Sequence, residues 1–199
     1  VSRKSQQIVT KSRRIPVIVG VAQVAQREDD PSLAREPLDL MADAIRGAAN
    51  DTRSVSVLQR VDSLRVVKGM WGYSNPARAL AHRFDLSGIE TGLTSLGGNY
   101  VQSLATRSFL DIQEAKNQLI VLTGGECGRT QAKAQKADLE LHWNPADSVP
   151  GRDPTTSDDV DDHPDLFLGS RQSTRHDAEL RRGIRYPIQY YPIFETAVR

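Results

Sequence analysis

The chain has 199 residues, a formal net charge of +1 and one cysteine, Cys127. Its length suits one domain, or one domain with a long insertion, and its near-neutral charge offers no global basic field for nucleic acid. A lone thiol excludes an intrachain disulfide framework, and no membrane-span run or secretory signal pattern is visible, so a soluble cytoplasmic protein is expected.

Residues 1–14, with Arg3, Lys4, Lys11, Arg13 and Arg14, read as a flexible, solvated basic tail in preference to a phosphate-binding arm. Ile15 to Ala22 reads as the first strand, with Pro16 near its start, where a missing donor does least harm. Gly20 lacks the G-x-G-x-x-G spacing of a dinucleotide loop, which sets that cofactor reading aside. Glu36-Pro37 opens a helix whose stripe is Leu38, Met41, Ala42, Ile45 and Ala49, and Asn50-Asp51 stops it. A second strand falls at Val61 to Val67, followed by the loop Lys68 to Tyr73. Ser74-Asn75-Pro76 then caps a helix running to Phe84.

Thr91 to Leu96 is the third strand and delivers the chain to the turn Gly97-Gly98. Asn99 stands where the next helix begins, with Gln102 three residues on, the spacing at which cap and helix side chains exchange backbone bonds. The apolar row of that helix is Val101, Leu104, Ala105, Ser108 and Ile112. Leu119 to Leu122 is a short apolar strand ending in Gly124-Gly125-Glu126, as expected of a strand covered on both faces. Strands alternating with helices point to a mainly parallel sheet with helices on both faces. Ligands favour the carboxyl edge of such a sheet, here the loops at Met70 to Asn75, Gly97 to Asn99 and Gly124 to Gly128.

After Thr130 the character changes. Lys133, Lys136, Asp138 and Glu140 decorate a short helix, and Asp147 to Ser173 shows no apolar period, as in a long loop insertion. Asp158, Asp159, Asp161, Asp162 and His163 suggest a hard metal, but the calcium-loop spacing is absent and a solvated acidic loop is the preferred reading. Pro192 is placed to start a final helix, with Phe194, Ala197 and Val198 on one face. His82, His142, His163 and His176 form no recognisable pair, and no serine elbow, P-loop or zinc motif is present.

The glycine turn before Asn99, the helix it opens and the strand ending in Gly124-Gly125 resemble the nucleophile region of the thiolase superfamily. Arg14 to Gly20, Glu36 to Met41, Val61 to Val67 and Trp71 to Arg78 are similar to a divergent branch labelled acetyl-CoA acetyltransferase or thiolase-like protein. The similarity covers residues 14–137 and resumes at Tyr186 to Arg199. It implies the N-terminal half of a thiolase-like fold: α/β, with a mainly parallel five-stranded sheet, helices on both faces and a loop insertion. The implied boundaries are a tail at 1–14, a core at 15–129, an insertion at 130–186 and the start of a further core helix at 187–199, where the chain looks truncated.

The resemblance also places Asn99 where relatives carry the nucleophilic cysteine, and an amide cannot form the acyl thioester. Two functions follow as expectations. One is a thiolase-like acyl-CoA acyltransferase of lipid metabolism, completed by a chain that supplies the C-terminal half with its histidine and second cysteine. The other is a non-catalytic acyl-CoA-binding or scaffold protein. In either case the ligand is a coenzyme A thioester, with no permanently bound cofactor or metal, and a homodimer or such a complex is implied. Asn99 takes the nucleophile position, and Trp71, Tyr73, Gly97, Gly98, Gly124 and Gly125 are the candidate CoA-binding residues.

Overall fold

A computed structural model describes residues 14–141, 143, 163–169, 177–184 and 187–198. The chain divides into two compact units, one ending at Gly169 and one formed by the residues after it. In the first, α1 (Pro37–Asp51), β1 (Ser63–Val66), α2 (Pro76–Arg83), β2 (Glu90–Thr94), α3 (Tyr100–Gln113), β3 (Ile120–Thr123), α4 (Gly128–Lys136) and β4 (Leu166–Leu168) follow in order. The four strands form one parallel sheet in the order β3-β1-β2-β4. The second unit holds α5 (Asp177–Arg181) and α6 (Pro187–Val198).

The register divides the side chains of the sheet into two unlike faces. Ser63 pairs with Glu90 and Ile120, and Arg65 with Gly92 and Leu122, so these residues share one face. Leu64, Val66, Leu93 and Val121 share the other, where they meet Leu38, Met41, Ala42 and Ile45 of α1 and Ala77 and Leu80 of α2. That second face is an ordinary apolar core. Full burial of each Leu, Ile or Met there contributes roughly 1.5–3 kcal/mol. Both helices start on a proline at a position where its missing N–H is no loss, and the Asn75 carboxamide accepts the Arg78 N–H at 3.0 Å to cap α2.

The face toward α3 is polar at its centre. Arg65 has 0% side-chain exposure, and all of its nitrogens are engaged. Its Nε donates to Ser63 Oγ at 2.9 Å, Nη1 to Ser108 Oγ at 2.9 Å and Nη2 to Glu90 Oε1 at 2.8 Å. Nη2 also forms an ion pair with Asp111 Oδ2 at 2.8 Å, the Asp111 side chain being 3% exposed. Gly92 is what lets the long side chain lie across β2. A Cβ there would come within 2.7 Å of Arg65 Cγ.

This network turns α3 about its axis relative to the sequence expectation. The buried positions are Leu104, Ser108 and Asp111, while Val101, expected on the apolar row, is exposed. A desolvated guanidinium needs carboxylate and hydroxyl partners more than α3 needs an all-apolar seam.

Two strand expectations change. Among the described residues the sheet has four strands, not five. Ile15 to Ala22, expected as the first strand, makes no strand pairing and leaves Ile15 83% and Ile18 74% exposed. The last turn of α1 holds it instead: the Asp51 carboxylate takes the Val21 N–H at 3.0 Å, and Gly20 lies so close that a Cβ would meet Ala48 O at 2.2 Å. Conversely, Leu166–Leu168, inside the span expected as a loop insertion, is β4. Asp165 anchors it by accepting both the N–H and the Oγ1 hydroxyl of Thr91 at 2.7 Å. The final helix begins at Pro187, with Pro192 inside it. The basic tail up to Arg13 lies outside the described residues, as do residues 142, 144–162, 170–176 and 185–186 of the insertion, which include His142, Asp158 to Asp162, His176 and Tyr186.

Burial pushes the Asp111 carboxyl upward, but hydrogen bonds from Arg107 and Arg65 outweigh it and hold the group below its ordinary 3.8. A carboxyl depressed by folding adds stability that is present above its unfolded pKa and lost as pH falls through the folded one. Asp111→Ala should therefore cost about 3–5 kcal/mol in urea unfolding at pH 7, because it strands a buried guanidinium. The difference from the wild type should shrink as the pH is taken below 3.8. Equal stability at pH 7 would show that Arg65 is satisfied without it.

Candidate functional site at the carboxyl edge of the sheet

Because the strands are parallel, the loops after β1, β2 and β3 emerge at one edge. The strand order also reverses at β1, with β2 on one side and β3 on the other. Ligands of open α/β sheets bind beside such a reversal. The edge brings together Lys68 to Asn75, Ser95 to Asn99 and Gly124 to Cys127.

The first loop is tied down by its own side chains. Lys68 donates its backbone N–H to Thr94 Oγ1 at 2.9 Å, and its Nζ donates to the carbonyls of Trp71 and Tyr73 at 3.0 and 3.3 Å. The same ammonium lies 4.4 Å from the centre of the Trp71 ring, a cation–π contact, and burial lowers its pKa from 10.5. Trp71 Nε1 donates to Gly125 O at 2.9 Å, which joins the β1 and β3 loops. Tyr73, with its ring 5.1 Å from that of Trp71, donates its hydroxyl to Glu36 Oε2 at 2.6 Å. Burial and the hydrogen bond to the Glu36 carboxylate push the phenol well above its ordinary value. Trp71 and Tyr73 are thus buried walls whose polar atoms are engaged within the protein.

The third loop is committed too. Glu126 Oε1 accepts the Met70 N–H at 2.8 Å, and Gln131 Nε2 donates to Met70 O at 2.8 Å. Cys127 is buried at the cap position of α4 without a side-chain capping bond, its Sγ–H donating to Arg35 O at 3.8 Å. Burial, then the Glu126 and Glu36 charges, raises its pKa above 9.0, the opposite of an activated thiol. His82 is exposed on α2, outside these three loops.

The second loop differs. Asn99 occupies the cap position of α3 but has helical dihedrals (φ −66°, ψ −22°), and its side chain makes no capping bond. The expected exchange with Gln102 does not form. Gln102 Nε2 turns to Thr106 Oγ1 at 3.1 Å, and the Asn99 carbonyl accepts the Ser103 N–H at 3.3 Å. A helical residue points its side chain away from the N–H groups that a cap must reach, and this accounts for the miss. Asn99 is exposed, Gly98 beside it is open, and the positive end of α3 lies behind them. The arrangement suits a carbonyl oxygen or an anion, and it contains no nucleophile.

A cavity of about 570 Å³ lies elsewhere, between residues 15–22, α1, α3 and β3; of the sequence-predicted site residues it reaches only Gly124. Lys68, which organises the first loop, was not among the candidates. Its place directly after an apolar strand was the available signal. Among the described residues no cluster of His, Cys, Asp and Glu could hold a metal ion, and no helix is long and apolar enough to cross a membrane.

No family model and no curated protein matches the chain. Among solved structures it is similar to the crystal structure of a monomeric SCP2-thiolase-like protein type 1 from Mycobacterium smegmatis. Identity is 24% and the TM-score is 0.45, over 55% of this chain and 23% of that one. The chain thus spans less than a quarter of that protein's length.

If burial suppresses the Cys127 thiolate, a disulfide reagent at pH 8 should modify the native protein at least about tenfold more slowly than the urea-unfolded chain. Equal rates would show an accessible, unperturbed thiol.

Proposed function

We propose that this chain is a thiolase-like acyl-CoA-binding protein whose own residues receive a thioester without attacking it. The observation that carries the reading is Asn99: an uncommitted, exposed carboxamide at the mouth of α3, with the chain's one thiol buried at the start of α4. An amide N–H beside a helix N-terminus can donate to a thioester carbonyl, as side-chain amides do in oxyanion sites. Gly97 and Gly98 give a ligand close access to that backbone, while Trp71, Tyr73, Gly124 and Gly125 wall the edge. The loops that engage them are internally bonded, so the edge is organised before a ligand arrives.

A second reading keeps the acyltransferase activity and assigns the thiol and the histidine base to another chain or to further sequence. What favours it is α6, where Ile188, Tyr191, Phe194 and Val198 are all exposed. A helix with that much bare apolar surface is suited to burial against further protein. On either reading the ligand is a coenzyme A thioester, and a homodimer or a completing partner belongs to the second.

Intact-mass spectrometry after incubation with a short-chain acyl-CoA, together with calorimetric binding, tests the first reading. Binding without a mass change is expected, and Asn99→Ala should weaken it by about tenfold, the equivalent of one lost hydrogen bond of about 1.4 kcal/mol. Asn99→Cys should acquire an acyl adduct at position 99. A covalent adduct on the wild-type chain, or no binding at all, would defeat the binding-only reading.

A further inference from the structure

We infer that Thr94 is a positioning residue of the carboxyl edge: its hydroxyl joins the β1 loop to the turn that carries Asn99 and fixes where that carboxamide meets a ligand. The inference rests on the reading of Asn99 as the side chain that receives the ligand. Thr94 is the last residue of β2 and is 1% exposed, so it acts on a bound molecule only through its neighbours.

The last residues paired between β1 and β2 are Val66 and Leu93. Val67 then donates its N–H to Thr123 O on β3, so alternation turns the Lys68 N–H toward β2. Its acceptor there is the Thr94 hydroxyl at 2.9 Å, standing in for a main-chain carbonyl. The same hydroxyl donates its own proton to Ser95 O at 2.9 Å. A hydroxyl has one proton and two lone pairs, so it can accept from the first loop and donate to the second at once. Lys68 in turn holds the carbonyls of Trp71 and Tyr73, and the Trp71 indole holds Gly125 O. Thr94 is therefore the link that ties the second loop to the fastened first and third.

Ser95 is the root of the Asn99 turn and is held from two sides. Its N–H donates to Leu168 O on β4 at 2.8 Å, while its carbonyl accepts the Thr94 hydroxyl. Gly169 closes in behind: a Cβ there would lie 2.4 Å from Ser95 Oγ and 2.8 Å from Tyr100 Cζ. The turn is thus pinned at Ser95 and packed at Tyr100, and Asn99 stands between those two anchors. Its carboxamide makes no capping bond, so its position comes from the backbone that Ser95 and Tyr100 hold. Thr94→Val keeps the shape of the buried side chain but takes the acceptor from Lys68 N–H and this donor from Ser95 O. Thr94→Ser keeps both bonds.

Calorimetric titration of the whole chain with butyryl-CoA, run as a double-mutant cycle, tests the role. Thr94→Val should weaken binding about fivefold, and Thr94→Ser should return it to within about twofold of the wild type. If Thr94 acts through Asn99, adding Thr94→Val to Asn99→Ala should cost less than about twofold more. An equal loss in both backgrounds would overturn the inference, because Thr94 would then serve the fold in general. A loss at Asn99→Ala with none at Thr94→Val would overturn the inference alone, whereas binding unchanged by Asn99→Ala would overturn the Asn99 reading and the inference with it. Amide exchange of the ligand-free wild type keeps the test independent of how the variants fold. The Lys68 N–H lies beyond the last β1–β2 backbone pair, and the Thr94 bond should slow its exchange at least about 100-fold relative to open coil. Coil-like exchange at Lys68 would overturn the inference.

Discussion

A guanidinium sealed from water in the middle of β1 is the constraint around which the first unit is arranged. Arg65 can be buried only if its N–H groups find acceptors, and these are Ser63 on its own strand, Glu90 at the start of β2, Ser108 with Asp111 on α3, and Asn117 in the turn before β3. Each partner fixes something larger than a bond. Glu90 sets where β2 begins against β1, Gly92 leaves the space the side chain crosses, and Asp111 sets which face α3 turns to the sheet. Buried charge of this kind adds little net stability compared with an apolar core, but any arrangement that leaves it unpaired is heavily penalised. The opposite face supplies the apolar burial through α1 and α2, and the α3 face supplies the orientation.

That orientation carries through to the carboxyl edge. With α3 held by Ser108 and Asp111, its N-terminus opens beside the ends of β1 and β2, and the turn Gly97-Gly98-Asn99 is presented there. The loops on either side are fastened by Lys68, Trp71, Tyr73 and Glu126. The edge therefore combines fixed walls with the uncommitted carboxamide of Asn99. A committed residue cannot serve a ligand without first breaking its internal bonds, so attention falls on Asn99 more than on the aromatic residues.

The sequence displayed much of this directly where local chemistry decides the outcome. The stripe Leu38-Met41-Ala42-Ile45, the Asn75-Pro76 cap and the apolar runs of β1 and β3 are readable because their periods and caps act over a few residues. The choices made by distant partners were not readable. An apolar row through Val101 looked right for α3, but Arg65, more than 30 residues away, drew Asp111 inward instead. Ile15 to Ala22 has every local mark of a strand, yet whether it pairs depends on a contact with Asp51 at the far end of α1. Leu166–Leu168 has little periodicity in so short a run and becomes a strand because Asp165 finds Thr91. At the edge, the three loops were identifiable from strand ends alone, whereas the state of each side chain was not. Asn99 looked like a cap, and only its helical dihedrals reveal that the carboxamide is unused.

The central claim, that the carboxyl edge around Asn99 is where this protein meets an acyl thioester, has a direct measurement. Backbone amide shifts recorded while a short-chain acyl-CoA is titrated into the chain should move at residues 68–73, 95–103 and 124–127 and stay fixed along 44–48 and 118–121. Shifts confined to the slot between α1, α3 and β3, or none at all at saturating ligand, would contradict the account.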